Sequence, residues 1–242
     1  MIMIALSSVG QIKKTNVPSY FGIQVRPVFP TRFIGTPEVT SEQNGFQFTM
    51  SQKMGYSFGA IVRVGLTKTL AIETGINKTR RNFDISLAVP DSSIAENTTM
   101  GFEEFDIPIN SLFYVQLSEQ WFMNASLGFL LTYKPSETEV VVQPGGLHRF
   151  QFIGLRNGIF DVDANANIGF EFRTEKAGIF YLGGSGRVPF SPLMDMVARY
   201  NYQGITTQIV EPIDGSFLSI DFKYFFPNIK NKGEQFKPGP IE

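Results

Sequence analysis

Apolar and polar residues alternate without a break along the stretch FDVDANANIGFEFR, residues 160–173, and this pattern limits the possible folds of the chain more than any other. Because the side chains of a β-strand point to opposite faces with a period of two, the stretch predicts a strand with one apolar face and one charged face. Strands of soluble proteins usually have about five or six residues, whereas a tilted strand crosses the hydrocarbon of a bilayer in about 9–11 residues. The length of the pattern therefore favours a membrane-spanning strand over a strand of a soluble sandwich.

Seven other stretches repeat this alternation, which gives eight candidate strands at residues 21–26, 56–66, 70–77, 105–117, 121–131, 160–173, 178–189 and 217–226. Their connections alternate between short ones, at 67–69, 118–120 and 174–178, and long ones, at 31–54, 88–100, 135–158 and 190–213. Short turns at one end and long loops at the other are typical of outer-membrane barrels, in which no sheet edge is left unpaired. The sequence therefore predicts an all-β fold: an eight-stranded antiparallel up-and-down transmembrane β-barrel with short periplasmic turns and long extracellular loops.

The polar faces of the predicted strands carry acids and bases in nearly equal number. In an eight-stranded barrel these side chains point into a lumen that is about full, so we expect them to pair with one another and to leave no open pore. A proton or ion path through the same charges is the alternative. The predicted lumen charge network consists of Arg26, Arg63, Glu73, Asp106, Asp161, Asp163, Glu171, Arg173, Arg187, Asp221 and Lys223.

The ends of the apolar faces are aromatic, and their middles are rich in Ala, Val, Ile and Leu. Amphipathic rings concentrate at membrane interfaces, so a girdle is expected at each end of the barrel. The alternative is that these strands are simply rich in phenylalanine, a residue that favours strands. At the short-turn end the predicted aromatic girdle comprises Phe21, Trp121, Phe172, Phe180, Tyr224 and Phe226.

The charge and the rare residue types exclude several function classes. A net charge of −1 without a basic block argues against nucleic-acid binding, and the absence of cysteine removes thiolate nucleophiles and thiolate metal sites. The single histidine, His148, lies in a long connection beside Arg149, which favours a surface residue over a catalytic base. The sequence therefore predicts no catalytic constellation, no cofactor and no metal site, and we expect a protein that is not an enzyme.

The N-terminal and C-terminal segments differ in composition from the predicted barrel. Residues 1–10, MIMIALSSVG, are apolar and then small, which predicts the remnant of a secretory signal peptide; a buried first strand is the alternative. Residues 11–19 then form a periplasmic segment, and residues 20–226 form the barrel. Residues 227–242 are polar and rich in Pro and Gly, which predicts a flexible periplasmic tail.

Two of the long connections carry local structure of their own. Residues 139–152, EVVVQPGGLHRFQF, predict a hairpin with a Pro-Gly-Gly turn that continues the fifth and sixth strands beyond the membrane. Residues 191–202, SPLMDMVARYNY, predict either a helix capped by Ser191 with Pro192 at its first position, or an extension of the seventh strand.

Three segments resemble a known family. The run FDIPINSLFYVQL (105–117), the segment ARYNYQGIT (198–206) and the closing run LSIDFKYFFP (218–227) are similar to strands of the PorT-like outer-membrane β-barrel proteins of Bacteroidetes. Gln203 is an insertion relative to the usual Tyr-Gly step of the second segment. The resemblance implies an eight-stranded outer-membrane barrel, and it implies no single function, since members of the family include secretion and gliding accessories.

These observations predict an integral protein of the bacterial outer membrane with a structural or accessory role. It contacts outer-membrane lipid, and its long loops and C-terminal tail contact other outer-membrane or periplasmic proteins, such as those of a secretion, gliding or outer-membrane assembly or transport complex. Two alternatives stay open: an outer-membrane lipid-modifying enzyme with a loop-borne site near His148, and a soluble periplasmic lipocalin-like carrier with its apolar face inward.

The predicted orientation of the strand at 160–173 is testable by charge substitution. We expect Ala164→Arg to lower the free energy of unfolding by about 2–4 kcal/mol if the position lies at mid-bilayer, because an arginine on the lipid face loses its hydration. The neighbouring Asn165→Arg points into the lumen and should have a much smaller effect, unless it overfills the lumen. Equal losses at both positions, measured by denaturant titration in lipid vesicles, would contradict the orientation.

Overall fold

The computed structural model describes residues 19–31, 38–67, 69–174 and 176–227. The predicted signal remnant (1–10), the segment at 11–18 and the tail at 228–242 lie outside the described residues. Within the part of the chain that the structure describes, there is no helix with the length and hydrophobicity needed to cross a membrane.

The described residues form thirteen antiparallel strands and one short 3₁₀ helix, Pro90–Ser92. The strands are β1 (Ser19–Pro30), β2 (Glu38–Gln43), β3 (Phe46–Gly65), β4 (Leu70–Val89), β5 (Ile94–Gln116), β6 (Trp121–Tyr133), β7 (Thr138–Gly145), β8 (His148–Leu155), β9 (Phe160–Thr174), β10 (Gly178–Pro189), β11 (Met194–Tyr202), β12 (Ile205–Ile213) and β13 (Phe217–Phe225).

Eight of these strands correspond to the eight candidate stretches, and they lie in one sheet, here called the first sheet. Its order is β1-β13-β10-β9-β6-β5-β4-β3-β2. β1 also pairs with β3, so that Ile23 lies opposite Tyr224 of β13 on one side and opposite Ala60 of β3 on the other. Each of the eight strands therefore has hydrogen-bonded neighbours on both sides.

The two faces of the first sheet differ as the alternation predicts. Large apolar side chains point outward and are exposed: Leu127 is 64% exposed, Ile109 59% and Phe129 57%. The inward positions of the same strands are polar and buried, as with Asn110, Ser126 and Asp163. A lipocalin-like carrier needs the opposite arrangement, with the apolar face inside.

The prediction that the four long connections are loops is wrong in detail, because they consist largely of strands. β3, β4 and β5 extend far beyond the predicted strand ends, and β2 pairs along the extension of β3. β7 and β8 form the predicted hairpin, which pairs with β11 and β12 in a separate sheet of order β12-β11-β8-β7, here called the second sheet. The hairpin therefore does not continue the fifth and sixth predicted strands.

Residues 194–202 form strand β11 of the second sheet, so both expectations for 191–202 are wrong: the segment is neither a helix nor an extension of the seventh predicted strand, which ends as β10 at Pro189 in the first sheet. Met194, Met196 and Ala198 alternate along this strand and are fully buried, and Ala198 pairs with Phe152 of β8. Val197 between them is buried as well, so it is the antiparallel pairing with β8 and β12, and not the burial pattern alone, that identifies the segment as a strand.

A hydrophobic core lies between the second sheet and the extensions of β2 to β5. Its residues are Phe46, Phe48, Met50, Phe83, Ile85, Leu87, Val89, Met100, Phe102, Phe150, Phe152, Leu193, Met194, Met196, Ala198, Ile209 and Ile213. The second sheet and the extensions touch at their edges, where the Ser41 hydroxyl of β2 donates to Glu211 of β12 at 2.8 Å. The long-loop end is therefore a packed β-sandwich, here called the outer sandwich.

A change of register in β3 joins the outer sandwich to the rest of the first sheet. The pairing of β3 with β4 shifts between Lys53 and Tyr56. Even-numbered residues such as Phe48 are buried before the shift, and odd-numbered residues such as Arg63 are buried after it. A β-bulge reverses which residues face inward. Here it keeps the apolar residues of β3 inside the outer sandwich and the polar residues of β3 inside the rest of the first sheet.

The structure identifies a better control for the substitution at residue 164. Asn165 is 7% exposed and its Nδ2 donates to Asn110 Oδ1 at 3.1 Å, so an arginine there would overfill a packed interior. Ala166 is outward-facing and exposed. Comparing Ala166→Arg with Ala166→Leu therefore separates the effect of charge from the effect of size at one outward position.

Candidate functional site: the charged interior

The inward positions of the first sheet hold the candidate site. All eleven residues of the predicted lumen charge network face inward, and three further charged residues join them: Arg81, Glu104 and Lys134. Among the described residues the interior thus contains seven acids and seven bases: Glu73, Glu104, Asp106, Asp161, Asp163, Glu171 and Asp221, with Arg26, Arg63, Arg81, Lys134, Arg173, Arg187 and Lys223. The charges of this set sum to zero.

One group of charges lies below the outer sandwich and is here called the long-loop cluster (Arg81, Glu104, Asp106, Asp163 and Arg187). Arg187 is at its centre: Nη1 lies 2.7 Å from Glu104 Oε1 and 3.1 Å from Asp106 Oδ1, and Nη2 contacts Asp163. Arg81 Nε donates to the same Glu104 oxygen at 3.0 Å. All five side chains are almost completely buried, so each charge depends on these partners.

Lys134 and Asp161 form a pair beside the long-loop cluster. Lys134 is 1% exposed and also donates to the backbone oxygen of Leu193, at the base of the outer sandwich. Asp161 accepts a hydrogen bond from Ser191 Oγ at 3.1 Å. This pair therefore ties β6 and β9 to the segment that precedes β11.

A second group of charges lies at the opposite end and is here called the short-turn cluster (Arg63, Glu73, Glu171, Arg173 and Lys223). Arg63 Nη2 lies 2.7 Å from Glu73 Oε2, and its Nη1 contacts Glu171. Lys223 contacts Glu73, and Arg173 Nη2 lies 3.1 Å from Glu171 Oε2. Each carboxylate in this cluster therefore has two cationic partners.

Aromatic rings close the interior next to the short-turn cluster. The Arg63 guanidinium lies 4.1 Å from the centre of the Phe225 ring, and the Arg173 guanidinium lies 3.8 Å from that of Phe122. Both rings are buried. Cations over ring faces are stabilised by the ring quadrupole, so these rings cap the cluster and also exclude water.

A layer of hydroxyls and amides separates the two clusters. Thr79 donates to Asp106 at 2.6 Å, and Asn167 donates to Asp221 at 2.6 Å. Arg26 and Asp221 form no ion pair with any described residue, and both line a cavity of about 10 Å³. That volume is about the space needed for one water molecule.

The inward glycines make room for this layer. A Cβ at Gly169 or at Gly183 would overlap the hydroxyl of Tyr181. That hydroxyl donates to Asn167 Oδ1 at 2.5 Å. A larger residue at either position would therefore displace the phenol from the layer.

The predicted aromatic girdle residues are on the outward face at the short-turn end and contact one another there. Ring centres are separated by 5.8 Å between Phe21 and Phe226, 5.0 Å between Trp121 and Phe172, and 5.2 Å between Phe180 and Tyr224. The rings thus form a band that crosses several strands.

His148 lies far from the charged interior, at the tip of the outer sandwich. Its Nδ1 is 2.8 Å from the Tyr200 hydroxyl, and its ring stacks on Tyr202 with centres 4.4 Å apart. Partial burial raises the pKa of the Tyr200 phenol. Tyr200 is the one described residue whose side chain hydrogen-bonds to His148, so the structure brings no carboxylate and no serine to this imidazole.

The charged interior offers little that could bind a cofactor or metal ion. Among the described residues, no three His, Cys, Asp or Glu side chains are grouped so that they could hold a metal ion. The interior carboxylates already have arginine, lysine, hydroxyl or amide partners. The arrangement can hold the strands together and block passage, since buried charges with paired partners do not form an open aqueous path.

The three charged residues that sequence reasoning missed all follow the period of two. Glu104 is two positions before Asp106, and Arg81 is eight positions after Glu73 on the same face of β4. Lys134 is on the face of Ser126 and Thr132 in β6. Extending the same alternation beyond the chosen strand ends would have found them.

Two adjacent glutamates in β5 test the role of the long-loop cluster. Glu104 is fully buried between Arg81 and Arg187, whereas Glu103 is partly exposed and lies 2.9 Å from Lys78. We expect Glu104→Gln to lower the free energy of unfolding by about 3–5 kcal/mol, because it leaves buried guanidiniums without an anion. Glu103→Gln should lower it by about 0–1 kcal/mol.

The measurement is guanidinium unfolding in detergent, followed by the fluorescence of Trp121. Similar losses for the two variants would show that the buried cluster does not hold the strands together.

Comparison with known proteins gives a fold for this chain. No protein-family model matches it, and no curated protein matches it. The structure is similar to the crystal structure of the outer membrane protein OprG from Pseudomonas aeruginosa, with a TM-score of 0.52 and 11% identity over 87% of this chain and 96% of that chain. At this identity the likeness concerns the fold alone: the chain has the antiparallel all-β fold of an outer-membrane protein.

Proposed function

We propose that the protein is an integral barrel of the bacterial outer membrane, with eight transmembrane strands and a filled interior, and that its role is structural or accessory. The observation that carries the proposal is that the first sheet has apolar side chains on its outside and charged side chains on its inside, the opposite of a soluble protein. Its outward side chains are apolar and exposed, and its buried charges pair inside. Water on both sides would leave this large apolar surface unexplained, whereas hydrocarbon on the outside accounts for it.

The strand pairing supports closure into a barrel. β1 hydrogen-bonds to β13 and to β3, so the eight strands have no unpaired side along the stretches that would lie in lipid. A free edge there would leave backbone groups unsatisfied at several kcal/mol each. The fold likeness to OprG, an outer membrane protein, agrees with this assignment.

The absence of a wide passage through the described interior favours an accessory role over a channel. The two clusters, the rings at the short-turn end and the core of the outer sandwich lie one after another along the same interior. Contacts with partner proteins would then be made by the outer sandwich and by residues 227–242. The similarity of three segments to PorT-like barrels leads us to propose a subunit of a secretion, gliding or outer-membrane assembly or transport complex.

Two properties of the purified protein test this proposal. Unheated protein in detergent gels should migrate faster than heated protein, because a barrel held by paired strands stays folded in detergent. Reconstitution into planar bilayers should produce no steady ion conductance, because the interior is filled.

Mobility that does not change on heating would contradict the barrel. Stable conductance steps would contradict the filled interior while leaving the barrel intact. Recovery as a stable monomer from an aqueous extract without detergent would favour the soluble carrier.

A further inference from the structure

We propose that the outward face of the second sheet is a binding site for an acidic glycan. The site is a shallow groove of about 500 Å³ lined by Arg149, Gln151, Arg199, Asn201 and Thr206. This inference goes beyond the proposed function and takes from it only that the groove lies on the extracellular side.

Two arginines define the chemistry of the groove. The guanidinium of Arg149 forms no hydrogen bond or ion pair with any described residue, and the Nε of Arg199 donates to the neutral Gln208 Oε1 at 2.8 Å. Neither guanidinium forms an ion pair with a carboxylate of the described residues, in contrast to the paired arginines of the interior. A guanidinium binds carboxylate, sulfate or phosphate groups through two parallel hydrogen bonds, so the groove favours an anionic group.

The register of the strands places the two arginines together. Asn201 lies opposite Arg149, and Arg199 lies opposite Gln151, so the arginines occupy diagonal positions on β8 and β11. Diagonal neighbours on one face are separated by about 7–8 Å, which long side chains span easily. The guanidinium groups of both arginines can therefore reach the same anionic group.

The remaining groups of the groove suit the hydroxyls of a sugar. Asn201 Nδ2 donates to Thr206 Oγ1 at 2.8 Å, and Gln151 Nε2 donates to Glu139 at 2.7 Å. These bonds use the amide N–H groups and leave the amide oxygens of Asn201 and Gln151 without a described partner, together with the hydroxyl hydrogen of Thr206. Sugar hydroxyls can donate to the two oxygens and accept from the threonine, while the sugar's acid groups bind the arginines.

The groove is built on a rigid support. β8 and β11 are the two central strands of the second sheet, and each is paired on both sides. Directly behind the groove, Phe150, Phe152 and Ala198 are fully buried in the core of the outer sandwich. A site whose side chains stand on a packed sheet loses little entropy when a ligand binds.

An acidic peptide is the competing occupant, and the geometry favours it less. Extended peptides usually add to a sheet at an edge strand through backbone hydrogen bonds, which here would be at β7 or β12. The two arginines stand on the central strands, on the face and away from the edges.

Calorimetric titration of the purified protein in non-ionic detergent tests the proposal. The probes are a heparin oligosaccharide, an oligogalacturonate, neutral maltohexaose and a hexaglutamate peptide. We expect the two acidic oligosaccharides to bind and maltohexaose not to bind. Arg149→Gln and Arg199→Gln should each weaken binding about tenfold, the usual effect of losing a charge-assisted hydrogen bond.

Two further variants make the result specific. The double variant Lys53→Gln/Lys78→Gln removes two positive charges from β3 and β4, one more than either arginine variant, at sites where these lysines pair with Asp84 and Glu103, and it should leave the affinity unchanged. Asn201→Asp keeps both arginines and adds a carboxylate between them, which should compete with the ligand and weaken binding. Heat-modifiable mobility of every variant shows separately that the barrel is folded.

Three outcomes would overturn the proposal. The first is failure of both acidic oligosaccharides to bind the unmodified protein at physiological ionic strength. The second is an equal loss in the lysine control, which would indicate unspecific attraction. The third is binding of hexaglutamate as tightly as the oligosaccharides, which would identify an acidic protein segment as the partner.

Discussion

Arg187 contacts three carboxylates inside the first sheet, and the two charged clusters of the interior both depend on neutralisation of this kind. Burying a charge without a partner is strongly unfavourable, and the removal of one partner typically costs about 3–5 kcal/mol. With seven acids and seven bases among the described interior residues, the sheet can turn its polar faces inward. The apolar faces are then free to point outward, which is the arrangement that a lipid surrounding requires.

Strands such as β4 pass through two different surroundings along their length. In β4 the inward residues between the short turn and the long-loop cluster are Glu73, Asn77 and Arg81, whereas those in the outer sandwich are Phe83, Ile85 and Leu87. The outward residues change in the opposite sense, from Ile72 and Ile76 to Asn82 and Asp84. Under the proposed function this inversion marks where the outside changes from lipid to water, and it places the groove of Arg149 and Arg199 well outside the membrane.

The exchange of polar and apolar faces along the strands also explains which parts of the structure could be predicted from the sequence. The eight strands and the inward position of eleven charged residues follow from a period of two alone. The strand ends do not follow from it. Beyond residue 77 of β4 the apolar face changes from the outside to the inside, so the predicted strand ends there although β4 continues to Val89. The second sheet was not predicted, apart from its β7–β8 hairpin, for another reason: β11 and β8 are buried by contacts distant in sequence, and Met194 and Met196 carry no local signal that distinguishes a strand from a helix.

If the protein is the proposed barrel, lipid bathes the even-numbered side chains of residues 160–173 and the odd-numbered ones are sealed inside. The chain has no cysteine, so single cysteines along this stretch can carry a spin label in liposomes without competing labels. The most direct measurement is the access of each label to oxygen, which partitions into lipid, and to a water-soluble nickel complex. We expect high oxygen access at even positions such as 162, 166 and 168, and little access of either reagent at odd positions such as 163 and 167. Uniform access along the stretch, or access of the nickel complex at the even positions, would contradict it.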